Sequence, residues 1–125
     1  MKVFLDANSL FSAARPGSQL GAMIATLTRH GLCLTNAHAV NEARRNLHGK
    51  RPDWTAAFEQ LVAPIPLHAA ISAVDAVPDK DRPILGGAVA AHCTHLVTGD
   101  LRDFGPLIGT TYRGVLILTP RMLAE

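Results

Sequence analysis

Short apolar runs alternate along this chain with longer segments of helical periodicity. Val3-Phe4-Leu5, Leu32-Cys33-Leu34, His95-Leu96-Val97-Thr98 and Val115-Leu116-Ile117-Leu118 read as buried strands. Leu20, Met23, Ile24 and Leu27 follow the i, i+3, i+4, i+7 pattern of an amphipathic helix that Gly31 stops, and Leu10 to Ala14 predicts a shorter one before the break at Arg15-Pro16-Gly17-Ser18. Thr35 or Asn36 can cap a helix through Val40, Ala43 and Leu47 to about His48. Asp53 can cap another that carries Trp54, Ala57, Phe58 and Leu61. Residues 62–67, with two prolines, predict an edge strand or extended connection, and a short helix is expected over 69–74.

Residues 75–83 read as a loop. Asp81 can then cap a helix that begins near Arg82 and turns Leu85, Ala88, Val89 and His92 inward. Gly86 and Gly87 are poor helix formers, which suggests close packing on the sheet. Gly114 introduces the last strand and Thr119-Pro120 opens a terminal helix. Apolar strands separated by helices imply an α/β fold, a parallel sheet covered on both faces.

The ten acidic residues are placed unevenly on this plan. Asp6 and Asp100 each follow an apolar strand directly, at the rim where such sheets bind ligands. Glu42 lies early in the helix after the second strand, Asp79 and Asp81 precede a long helix, and Asp103 follows Asp100. Asp53, Glu59, Asp75 and Glu125 lie where a cap or a solvated surface explains them. Two unit charges at 4 Å repel by about 4 kcal/mol at an effective dielectric of 20. A rim of four carboxylates therefore needs a counter-cation or raised pKa values. Hard ions such as Mg²⁺ or Mn²⁺ suit oxygen ligands, and a divalent ion on such a rim points to phosphodiester chemistry.

With 125 residues, nearly half of them hydrophobic, the chain fits one domain over 1–125. The two cysteines, Cys33 and Cys93, have no zinc-type spacing and read as core thiols of a reduced, cytoplasmic protein. No secretory signal or membrane-spanning run is present in the sequence. A net charge of +2 permits nucleic-acid binding without requiring it. Arg44, Arg45, His48, Lys50 and Arg51 form the densest basic run, either a solvated helix end or a place for RNA phosphates. His92 and His95 lack a second ligand pair, and no Walker loop or GxGxxG is present.

The opening Val3-Phe4-Leu5-Asp6-Ala7-Asn8 resembles that of PIN-domain nucleases. So does the second half: Asp81-Arg82-Pro83-Ile84-Leu85, an Ala-rich helix, then His95-Leu96-Val97-Thr98-Gly99-Asp100-Leu101-Arg102-Asp103-Phe104. The size is similar to the stand-alone, VapC-like toxins of toxin–antitoxin pairs. This resemblance implies a three-layer α/β/α domain with four or five parallel strands. It implies Mg²⁺- or Mn²⁺-dependent endoribonuclease activity leaving 3′-hydroxyl and 5′-phosphate ends, a homodimer, and an antitoxin partner. Asp6, Glu42, Asp81 and Asp100 match the acidic catalytic positions; Asp6, Asp81, Asp100 and Asp103 are the expected metal ligands. Asp79 is the alternative to Asp81. Asn8 and Thr98 match polar positions that hold the acids, with Arg44, Arg45, Lys50 and Arg51 as RNA contacts. Two rivals remain: a catalytically silent RNA- or protein-binding module on this fold, and an aspartyl-phosphate phosphatase. The opening Asp6-Ala7-Asn8 is not the Asp-x-Asp that the second would use.

Overall fold

The computed structural model describes residues 1–124; Glu125 lies outside the described residues. Strands β1 (Val3–Leu5), β2 (Cys33–Leu34), β3 (His95–Val97), β4 (Thr111–Tyr112) and β5 (Val115–Leu118) form one sheet in the order β2-β1-β3-β5-β4. Four strands are parallel, with Val3 opposite both Cys33 and His95, and His95 opposite Leu116. The fifth, β4, is an antiparallel edge strand. It was not expected, because the turn that makes it spans only Arg113 and Gly114. Both have positive φ, 47° and 85°, which suits the right-handed twist of a two-residue hairpin.

The helices are α1 (Ala7–Ala13), α2 (Gln19–Arg29), α3 (Ala37–Lys50), α4 (Thr55–Val62), α5 (Arg82–Ala90) and α6 (Pro120–Ala124). All three side chains of β1 are fully buried. Successive strand side chains point to opposite faces, so helices cover both sides of the sheet. The result is the expected three-layer α/β/α architecture. Phe4, Leu10, Ile24, Leu47, Phe58, Leu85, Phe104 and Ile117 fill the core, with Cys33 and Cys93 buried as free thiols. Among the described residues no helix is long and apolar enough to cross a membrane.

Several local expectations change. Helix α1 starts at Ala7, directly after β1, because Asp6 caps it by accepting the Ala7 N–H. Helix α3 runs through Gly49 to Lys50, with Asn36 as its cap. Asp53 caps nothing; its carboxylate pairs with Arg51. Residues 64–67 contribute a single bridge, Leu67 with Thr35, in place of an edge strand. The helix expected over 69–74 is absent. That segment has no regular secondary structure and meets α5, where the Ser72 N–H donates to the Gly86 carbonyl at 3.0 Å.

This contact explains the glycine pair. A Cβ on Gly86 would lie 2.2 Å from the Ser72 carbonyl oxygen, so the loop sets its size, not the sheet. A Cβ on Gly87 would lie 2.6 Å from Asn36 Nδ2 and 3.0 Å from Phe4 Cζ, so here the sheet packing is as expected. Asn36 Nδ2 also donates to the Pro83 carbonyl at 3.0 Å, which ties the start of α3 to the start of α5. Helix α5 ends at Ala90, and His92 is solvent-exposed with φ 55°, so it does not belong to the inner face.

Candidate metal centre

The carboxyl ends of β1 and β3 are adjacent because the two strands pair in parallel, Leu5 opposite Val97. Asp6 and Thr98 therefore leave the sheet side by side. Thr98 Oγ1 donates to Asp6 Oδ2 at 2.6 Å and accepts the Asp100 N–H at 3.1 Å. One buried hydroxyl thus links the two rim acids. Asn8 is not hydrogen-bonded to Asp6; its Oδ1 accepts the Gly99 N–H at 2.8 Å and holds the loop that carries Asp100. That loop is closed by the Asp103 N–H on Asp100 Oδ1, at 3.0 Å, and anchored by the fully buried Phe104.

Asp81 arrives from the other side, at the end of a 3₁₀ turn (Asp79–Asp81) that continues into α5. Its side chain does not cap the helix, contrary to expectation. Asp81 is only 8% exposed, and its Oδ2 is buried without a hydrogen-bond partner. Oxygens of Asp81, Asp100 and Asp103 lie within 4.8 Å of one another. Asp6, Glu42, Asp81 and Asp100 line one cleft of about 180 Å³, with Asn8, Asn46 and Lys80. Asp79, by contrast, is 90% exposed and paired with Arg82 on the outer surface.

The electrostatics follow from this crowding. Burial is the main reason the Asp6 carboxyl is pushed up to about 6; the Thr98 and Ala7 hydrogen bonds oppose it, and Glu42 and Asp100 add to it. Burial, then a side-chain hydrogen bond with Asp103, then the charges of Asp100, Asp103 and Asp6, push Asp81 up to about 7. Asp103 moves the other way, below the usual carboxylate range, because Lys80 Nζ lies 2.7 Å from its Oδ2. Raised pKa values and a single lysine are how the cluster accommodates its repulsion here.

These groups fit a hard divalent cation. Every carboxylate and carboxamide lining the cleft offers an oxygen ligand, and Asp81, whose Oδ2 is buried without a hydrogen-bond partner, belongs to that lining. The basic run is less available for a ligand than its composition suggests. Arg44 is held in a two-pronged pair with Glu59 at 2.8 and 2.9 Å. Arg51 is held by Asp53 and stacks over Trp54, 4.2 Å from the ring centroid. Arg45 and Lys50 are exposed, without a carboxylate partner among the described residues.

Sequence reasoning overlooked two lining residues. Asn46 lies four residues after Glu42, hence one turn further along the same helix face. Lys80 sits between Asp79 and Asp81, masked by its charged neighbours.

No protein-family model matches the sequence, and no curated protein matches it. Among solved structures, a chain of the crystal structure of VapBC2 from Rickettsia felis bound to a DNA fragment from their promoter is similar, with a TM-score of 0.64. The match covers 95% of this chain and 98% of that one, at 11% sequence identity. The chain thus shares the fold of that VapBC2 chain, in architecture far more than in sequence.

Proposed function

We propose that this chain is a divalent-metal-dependent endoribonuclease, the toxin of a toxin–antitoxin pair, acting as a single PIN-type domain over 1–125. One observation carries the reading: acids from distant stretches of chain, Asp6, Glu42, Asp81 and Asp100, line one cleft, and Asp81 keeps a buried carboxylate oxygen without a hydrogen-bond partner. A carboxylate buried and unpaired is costly unless a cation completes it. The match to a VapBC2 chain supports the toxin assignment and an antitoxin partner. RNA as substrate, a homodimer and a cytoplasmic setting belong to the same reading.

Asp6, Asp81 and Asp100, which line the same cleft, would hold Mg²⁺ or Mn²⁺, with Asp103 as a further ligand. When bound, the ion supplies the charge that acidifies water and neutralises phosphoryl oxygens. Glu42, which lines the same cleft, would orient the attacking water and accept its proton, with Asn46 one turn away on α3. The water oxygen bonds to phosphorus as the bond to the 3′-oxygen breaks. The 3′-oxygen takes a proton, leaving 3′-hydroxyl and 5′-phosphate ends. Thr98 and Asn8 keep Asp6 and Asp100 in register through the step.

The test is purified protein with end-labelled RNA, in Mn²⁺ or Mg²⁺ and in EDTA. Cleavage is expected with metal only, and Asp100→Asn should reduce it at least a hundredfold. Metal-independent cleavage, or full activity of Asp100→Asn, would refute the assignment. Failure of wild-type protein to cut any RNA while still binding it favours a silent binding module.

A further inference from the structure

Among the described residues Lys80 supplies the only ammonium lining the acidic cleft, and nothing in the reading above gives it a role. Its side chain is 67% exposed, so the long stem is free to swing, yet its Nζ lies 2.7 Å from Asp103 Oδ2. Asp103 is one of the three acids whose oxygens come within 4.8 Å of one another. The lysine therefore occupies a carboxylate that the divalent ion would also use. Asp81 and Asp100, the other two members, have no cationic side chain bonded to them.

We infer that Lys80 is a tethered counter-cation: the divalent ion displaces its ammonium from Asp103, and the released ammonium then binds a phosphate oxygen of the RNA. This rests on the metal-dependent reading. A flexible lysine suits both tasks, since it is a compact charge that can exchange one oxyanion for another. It would hold the empty site together without metal and add one phosphate contact once metal arrives. Lys80 is thus a positioning residue for Asp103 and a binding residue for substrate.

The two halves require opposite responses from one substitution, which a merely structural role would not give. Mn²⁺ affinity is measured by calorimetry on wild type, Lys80→Ala and Lys80→Arg, and KM and kcat are measured with a short oligoribonucleotide. Lys80→Ala should bind Mn²⁺ roughly two- to fivefold more tightly, the range for losing a competing exposed ion pair. It should raise KM several-fold with a smaller change in kcat. Lys80→Arg should stay within about twofold of wild type in both. Unchanged or weaker Mn²⁺ binding by Lys80→Ala overturns the displacement, while the metal reading survives. An unchanged KM overturns the phosphate contact. If neither wild type nor Lys80→Ala binds Mn²⁺, the metal reading falls and this inference with it.

Discussion

Replacing Asp81 by Asn should stabilise the metal-free protein while abolishing its response to metal. A carboxyl held at about 7 in place of 3.8 corresponds to about 4 kcal/mol when fully ionised. Asp103 shares that repulsion, so about half, ~2 kcal/mol, is assigned to Asp81 itself. Its folded pKa is raised above the unfolded value, so the folded state holds the extra proton between about pH 4 and 7. The stability this contributes is present at low pH and lost as pH rises through 7. The amide cannot ionise, and its N–H can donate to the neighbouring carboxylates. Urea and thermal unfolding in EDTA at pH 7.5 should show Asp81→Asn about 2 kcal/mol more stable, or about 8 °C higher in Tm for a domain of this size. At pH 5 the advantage should fall below about 1 kcal/mol. Wild type at pH 7.5 should gain about 2.7 kcal/mol from Mn²⁺ at a hundred times its Kd, and Asp81→Asn almost none. A variant less stable than wild type at both pH values would refute the reasoning, because Asp81 would then be a structural acid satisfied in the fold.

Other outcomes are expected from the same geometry. Thr98→Val removes the donor to Asp6 and the acceptor of the Asp100 N–H; it should cost about 1–3 kcal/mol at pH 7.5 by denaturant unfolding and lower cleavage by at least tenfold. Gly87→Ala forces a methyl against Asn36 and Phe4 and should cost about 1–3 kcal/mol, read as a lower urea midpoint. Asp6 and Asp81, near 6 and 7, must lose protons to ligate. Mn²⁺ affinity by calorimetry should therefore fall as pH drops from 7.5 to 5.5, by up to tenfold per pH unit for each proton displaced. A flat profile over that range would contradict the pKa assignments.

The sheet was legible because each parallel strand is a short, mostly apolar run that is buried on at least one face, a pattern independent of tertiary detail. Asp6 and Asp100 were legible for the same reason: they end two such runs, and parallel pairing brings those ends together. What could not be read came from long-range contacts. Asn8 seemed to serve the acid two residues before it but bonds to Gly99, 91 positions away. Gly86 answers to the loop at Ser72, which bonds to α5 in place of forming the helix its own composition suggests. Arg44 and Arg51 looked available as cations until Glu59 and Asp53 were found paired with them. Lys80 became visible only when Asp103 was found at its side.

The central claim is that three separated acids share one divalent ion. Crystals of the protein soaked in MnCl₂, with data collected at a wavelength where manganese scatters anomalously, test it directly. An anomalous peak is expected between Asp81 and Asp100, on the side facing Asp6, and absent from crystals of Asp81→Asn. A map with no peak in that cleft at millimolar Mn²⁺, or with manganese bound only elsewhere, would contradict the account.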